Sequence, residues 1–283
     1  YDSTNATFMT DTISGISASP ASSCTFHPTG AANDRQSFTL TAHGQASDGV
    51  TLALQWDQPY YTTSGVTTNL TLYIVDATTG AVVASSTNNA IANQTPLQLV
   101  DFENPNSTSH TYNVVIQKSA GTTPGEIKWV NYGSNEYGDV TFSNATNSAT
   151  IVSHAAAANA IAVAAAPFYE QRTPEDFSSQ GPAKILFDAA GNRLASAQIR
   201  SKPDLMATDG DDTTFFGQDV DDNGFDNFYG TSAAAPHAAA VAALIQEAHP
   251  TWTPAQIYSD LKSTAILAND AGTNNSANFA GAG

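Results

Sequence analysis

The stretch "NFYGTSAAAPHAAAVAALIQEAHP", residues Asn227 to Pro250, decides how the chain is read. From Ala233 to Ala248 it carries no polar stripe before Gln246, which predicts a helix that is apolar nearly all round and therefore buried. Gly230 gives a permissive backbone just before it, and Pro236 is expected in the first turn, where few N–H groups have intrahelical partners to lose. Ser232 then stands at the helix N-terminus. Serine there is either an N-cap or a nucleophile whose developing oxyanion is held by a backbone N–H at the same helix end.

The 283 residues can bury a large core as one large domain or two smaller ones. A net charge of −17 with nine Lys and Arg argues against nucleic acid and anionic membrane surfaces as partners, since both reward basic clusters. The longest apolar run, Ala155 to Pro167, is too short to span a bilayer. The chain opens "YDSTNATFMT", without a starting methionine or signal peptide, as a processed piece would; low basic content leans towards secretion. The single cysteine, Cys24, excludes an intrachain disulfide and is expected as a small buried residue.

Two stretches differ in character. From about Gln36 to Trp129, short runs such as "VTLALQW", "LTLYIVD" and "TYNVVIQ" alternate apolar and polar residues, and "LTLYIVDATTGAVVASS" reads as a hairpin turning through Asp76 to Gly80. About seven such strands suggest an all-β sandwich or jelly roll. Trp56, Tyr60 and Tyr61 are the aromatic residues considered for a binding surface there, against the alternative of core and edge packing. After about Thr146, "SATIVSHAAAANAIAVAAA" reads as a strand, a tight turn and a second strand buried on both faces. A hairpin "AKILFDAAGNRLASAQIR", an acidic loop from Asp209 to Asn227, the alanine-rich helix and a last helix follow. Thr253 is the expected N-cap of that last helix, with Pro254 at its first position and Ile257 and Leu261 on one face.

"GTSAAAPH", Gly230 to His237, resembles the serine motif of the subtilisin-like serine proteases. "NAIAVAAA" (Asn159 to Ala166), "FSSQGP" (Phe177 to Pro182), "SKPDLMA" (Ser201 to Ala207) and "HPTWTPAQIYSDLKSTA" are similar to further segments of that family and stand in its order. Together they cover about Ala149 to Ala265. The resemblance implies a secreted endopeptidase that hydrolyses polypeptides through an acyl-enzyme on Ser232, with the Ser232 N–H in the oxyanion hole and no cofactor in the chemistry. It makes His237 structural. It also implies residues 146–283 as the C-terminal part of an α/β subtilisin-like catalytic domain, with a mostly parallel sheet and helices, and residues 1–145 as an inserted β-sandwich.

Both partners of the serine should precede it in this family. Neither is found. His43-Gly44 lies in a β pattern with no helix behind it, "DTIS" at Asp11 lacks the glycine, and "AAGN" (Ala189 to Asn192) comes after "FSSQGP" and reads as a hairpin turn. The expected explanation is that the Asp, the His and an oxyanion Asn belong to a preceding segment of the same precursor, which is then a partner of this chain. Such a half would be inactive alone, and would self-associate or be held by that segment. Tyr229 stands where the family often has Asn, and Ala240 where it often has Gly.

"DVDDNGFDN" carries oxygen ligands at Asp219, Asp221, Asn223 and Asp226 and resembles half of a calcium-binding loop, without the closing Glu; a structural calcium ion and a solvated acidic turn are the two readings. Two other functions compete with the protease: a binding or structural protein on a degenerate scaffold of the same family, and an α/β-hydrolase esterase. The second is disfavoured because Ala234 stands in place of the second glycine of Gly-x-Ser-x-Gly and the sole later candidate histidine beyond His237 is His249, at a helix exit.

Overall fold

A computed structural model describes residues 34–41, 49–60, 64–132, 140–143, 148–215, 217–266 and 268, together with the backbone of three short strands before residue 34. His43, Gly44 and Tyr61 and the side chains of Asp11 and Cys24 lie outside the described residues. The chain forms two compact units, Tyr1–Asn147 with Leu186–Ala195, and Ser148–Ile185 with Ser196–Gly283.

The first unit is antiparallel throughout. Its strands are β1 (Asp2–Ser3), β2 (Phe8–Asp11), β3 (Ala21–Cys24), β4 (Gln36–Leu40), β5 (Gly49–Trp56), β6 (Thr68–Asp76), β7 (Val82–Ser86), β8 (Leu97–Glu103), β9 (His110–Gly121), β10 (Ile127–Asn131) and β11 (Val140–Phe142), with a one-turn helix α1 (Ala90–Asn93) before β8. One sheet runs β1-β10-β5-β8. The other is organised on β9, which pairs β4 along its first half, β3 further on and β6 along nearly its whole length. Period-two alternation places every second residue inward. Leu52 and Leu54 of β5, Trp129 of β10 and Phe102 of β8 thereby meet Phe38, Leu72, Ile74, Tyr112 and Ile116 of the other sheet in one core. Trp56 belongs to that core as well, so it offers no binding surface; Tyr60 is exposed. Buried amides are paired: Gln98 Nε2 donates to the carbonyls of Leu70 and Asn88, and the Trp129 indole donates to Gln36 Oε1. The β6–β7 turn is closed by Asp76, whose Oδ1 accepts the N–H groups of Thr78 and Thr79, and by Gly80 at φ 72°.

The second unit holds a parallel pair, β12 (Val163–Pro167) beside β15 (Leu205–Asp209), in register from Val163↔Leu205 to Pro167↔Asp209. Between them in sequence lies the hairpin of β13 (Ala183–Phe187) and β14 (Arg193–Arg200), turned at Asp188, whose Oδ1 accepts the N–H groups of Ala190 and Asn192. "AAGN" is therefore a hairpin turn. After β15 come β16 (Asp211–Thr213), the acidic loop, β17 (Asp226–Phe228) and two helices, α2 (Thr231–Ala248) and α3 (Pro254–Thr264). Leu205, Ala238, Ile257 and Leu261 form the core where the helices meet the strands. Thr253 caps α3 in a reciprocal capping box with Gln256.

Two expectations change. Ser148–Val152 is not a strand: the N–H groups of Thr150 and Ile151 both go to the Gln180 carbonyl, which leaves no ladder. Ser153 then takes φ 56° and opens a one-turn 3-10 helix, Ser153–Ala156. Nor is α2 buried all round. Ala233, Ala234 and Ala238 face the strands, whereas Val241 is 48% and Leu244 65% exposed. Alanine fits both environments, so an all-alanine pattern does not mark a face.

Candidate active site

The end of β15 and the start of α2 are brought together by β16 and β17, which pair antiparallel between Asp211↔Phe228 and Thr213↔Asp226. Gly230, at φ 125°, is the N-cap of α2; no side chain caps the helix. That conformation favours glycine over any other residue. Ser232 is accordingly the second residue of the helix and not its cap, which removes the bland reading of this serine. It is exposed, and its N–H is one of the terminal donors that a helix leaves without an intrahelical acceptor. The N–H groups of Ala233 and Ala234 already go to the Gly230 carbonyl. A hydroxyl and a free N–H at the positive end of an 18-residue helix are the elements a serine nucleophile and its oxyanion need.

Pro236 is the sixth helical residue rather than part of the first turn. It has no N–H to give the Ser232 carbonyl four residues back, so that one helix hydrogen bond is missing beneath the serine. His237 turns towards β15: Nδ1–H donates to the Thr208 carbonyl at 2.9 Å, and Nε2 lies 3.5 Å from Asp211 Oδ2. Among the described residues no histidine is hydrogen-bonded to Ser232.

One group was not singled out from sequence. Asp209, at the end of β15, is fully buried. Its Oδ2 accepts the Gly230 N–H at 2.6 Å, and its Oδ1 has no hydrogen-bond partner. Burial first, and the neighbouring Asp211 charge after it, raise the Asp209 carboxyl above its ordinary value, against the Gly230 hydrogen bond. Glu175 is raised too, by burial and then by Asp209 and Asp176. Burial raises the Tyr229 phenol, with Tyr169, Asp209 and Glu175 adding to it. The signal available in sequence was an acid at the C-terminal end of a parallel strand, where α/β sheets place their sites.

The acidic loop is closed by its own hydrogen bonds. Asp219 accepts the N–H groups of Asn223 and Gly224, while Asn223 Nδ2 donates to both oxygens of Asp212 and to Asp221 Oδ2. Among the described residues no three His, Cys, Asp or Glu side chains gather as a metal would require. Asp219, Asp221 and Asn223 are thus bonded within the turn, and Asp226 belongs to β17.

A helix carrying a serine at its N-terminus and packed on a parallel strand pair makes this unit α/β. The chain belongs to the subtilase family: the peptidase S8 model matches residues 4–283. Curated relatives include Subtilisin-like protease SBT2.6 of Arabidopsis thaliana, 34% identical over 113 residues, which are 38% of this chain and 13% of that protein. The CO(2)-response secreted protease of the same plant is 33% identical over 94 residues, 33% of this chain and 12% of the relative. Alkaline elastase YaB of Bacillus sp. (strain YaB) is 39% identical over 79 residues, 28% of this chain and 20% of the relative. The matches thus span at most about a fifth of these relatives. Among the described residues no helix is long and apolar enough to cross a membrane.

Proposed function

We propose that this chain carries the nucleophile of a secreted subtilisin-like serine endopeptidase, and that its first unit is a jelly-roll-like sandwich inserted into the catalytic fold. The observation that carries the reading is the place of Ser232, an exposed residue at the second position of α2, whose own N–H has no intrahelical acceptor. In the proposed reaction a base takes the Ser232 hydroxyl proton as Oγ attacks the peptide carbonyl carbon, and the carbonyl π pair moves to oxygen, where the resulting oxyanion accepts a hydrogen bond from the Ser232 N–H. Collapse of that intermediate breaks the C–N bond, the amine leaves with a proton from the base, and water hydrolyses the ester. We assign the base and its orienting carboxylate to a segment of the same precursor preceding Tyr1. The side chains of Val241 and Leu244, which α2 leaves open, accord with a helix made to be covered further.

The test is peptide hydrolysis by this chain joined to that segment. The chain alone is expected to be inactive, and the joined protein active. Ser232→Ala should reduce kcat by about 10⁶-fold, as loss of a triad serine does. A folded, joined protein without hydrolysis would instead favour the binding scaffold. Calcium at the acidic loop is a separate proposal, with Asp219, Asp221, Asn223 and Asp226 as ligands at the expense of the hydrogen bonds they now make. Millimolar calcium should then raise Tm, and an unchanged Tm discards it.

A further inference from the structure

We propose that Asp209 is a positioning residue for Ser232: its carboxylate grips the Gly230 peptide and so sets the direction of the Ser232 N–H and hydroxyl. The inference rests on the nucleophile reading of Ser232. Gly230 needs an external hold. At φ 125° it lies in a region open to several backbone settings, a Cβ built on it would meet nothing closer than the Ser232 nitrogen at 3.8 Å, and the N–H groups of Ala233 and Ala234 hold only its carbonyl side. The contact fixing it is the 2.6 Å bond from its N–H to Asp209 Oδ2.

Asp209 is in turn held from both sides. The Phe168 N–H donates to the Asp209 carbonyl at 3.0 Å, and the next N–H, of Gly210, donates to the Phe228 carbonyl at 2.8 Å. The carboxyl therefore projects from a backbone tied to the strand that leads to the serine. Its second oxygen is buried without a partner, a desolvation cost that a residue serving only to fill space would not carry. Asp211, Glu175, His237 and Tyr229 are the titratable groups that act on it.

Two readouts test the role. In this chain, Asp209→Ala should speed hydrogen exchange at the Gly230 amide by about tenfold, the loss of one hydrogen bond to a charged group. In the chain joined to its preceding segment, the same change should slow acylation of Ser232 by a fluorophosphonate by about 10²-fold, as misdirecting one oxyanion donor does. Asp209→Asn, which keeps a carbonyl oxygen for Gly230, should restore both to within about fivefold. A merely structural acid would not give that rescue. The Asn variant should also flatten the pH dependence of stability. A carboxyl raised in the folded state stabilises fully below its ordinary value of 3.8, and that contribution is lost as pH rises through the raised one. Unchanged Gly230 exchange in folded Asp209→Ala overturns the inference whatever Ser232 does. If that variant does not fold, a folded Asp209→Asn protein that exchanges Gly230 about tenfold faster and is acylated about 10²-fold more slowly than wild type overturns it equally. Wild-type joined protein that is never acylated overturns the nucleophile reading, and the positioning role with it.

Discussion

Replacing Asp204 by alanine is expected to lower the stability of the second unit by about 3–5 kcal/mol, the cost of removing one partner from a buried ion pair. The Lys202 and Asp204 side chains are 4% and 2% exposed, with Lys202 Nζ 2.6 Å from Asp204 Oδ2. The same oxygen accepts the Ala162 N–H at 2.7 Å, and Oδ1 accepts the Tyr258 hydroxyl at 2.6 Å. One carboxylate thus joins the segment before β12, the start of β15 and α3. Alanine would leave a buried ammonium with only the Ala160 carbonyl, the Ala162 N–H without its acceptor, and the Tyr258 hydroxyl proton without one too, its oxygen keeping only the Lys262 ammonium as donor. Burial, then Asp204, hold the Tyr258 phenol up at about 12. In Asp204→Asn that value should fall but stay above the ordinary 10, because burial, its largest cause, remains. Urea titration of the near-ultraviolet signal measures the first effect and spectroscopic titration of the phenol the second. A loss below about 1 kcal/mol would show that the pair is an exposed one in solution.

The second large effect is at Gly181, in "FSSQGP". A Cβ there would lie 1.6 Å from the Lys202 carbonyl oxygen and 2.7 Å from its carbon, and both are backbone atoms that no rotamer change can move aside. Gly181→Ala should therefore cost about 3 kcal/mol or more, by pushing apart two segments that meet only because this residue has no side chain. Gly80→Ala is the comparison. Its Cβ would meet nothing within 4 Å, and only φ 72° opposes it, so a loss of about 1 kcal/mol is expected. Equal losses at the two sites would mean that the close approach at Gly181 is not made in solution.

What could be read from sequence was what is decided locally. The capping box at Thr253 and Gln256 and the turns at Asp76 and Asp188 are each settled within five residues, by a side chain bonding its own backbone. Strands such as β4 and β8 announce themselves because one face is buried and the other is not. Elements decided by distant contacts were read less well. "SATIV" has the composition of a strand, but its N–H groups are taken by Gln180, some thirty positions on. The position of Pro236 within α2 depends on where the helix begins, and Gly230, with no side chain to advertise a cap, begins it. Ser232 was legible from its motif. Asp209 was not, because a carboxylate aimed at the amide of a residue beyond an intervening hairpin leaves no periodic trace.

The most direct test of the account is fluorophosphonate acylation read by intact mass and peptide mapping, on this chain alone and joined to the segment preceding Tyr1. A single adduct on Ser232, formed in the joined protein, absent from the chain alone and absent from Ser232→Ala, is the predicted result. A correctly folded joined protein that takes no adduct, or takes it at another residue, would contradict the assignment of Ser232 as the nucleophile.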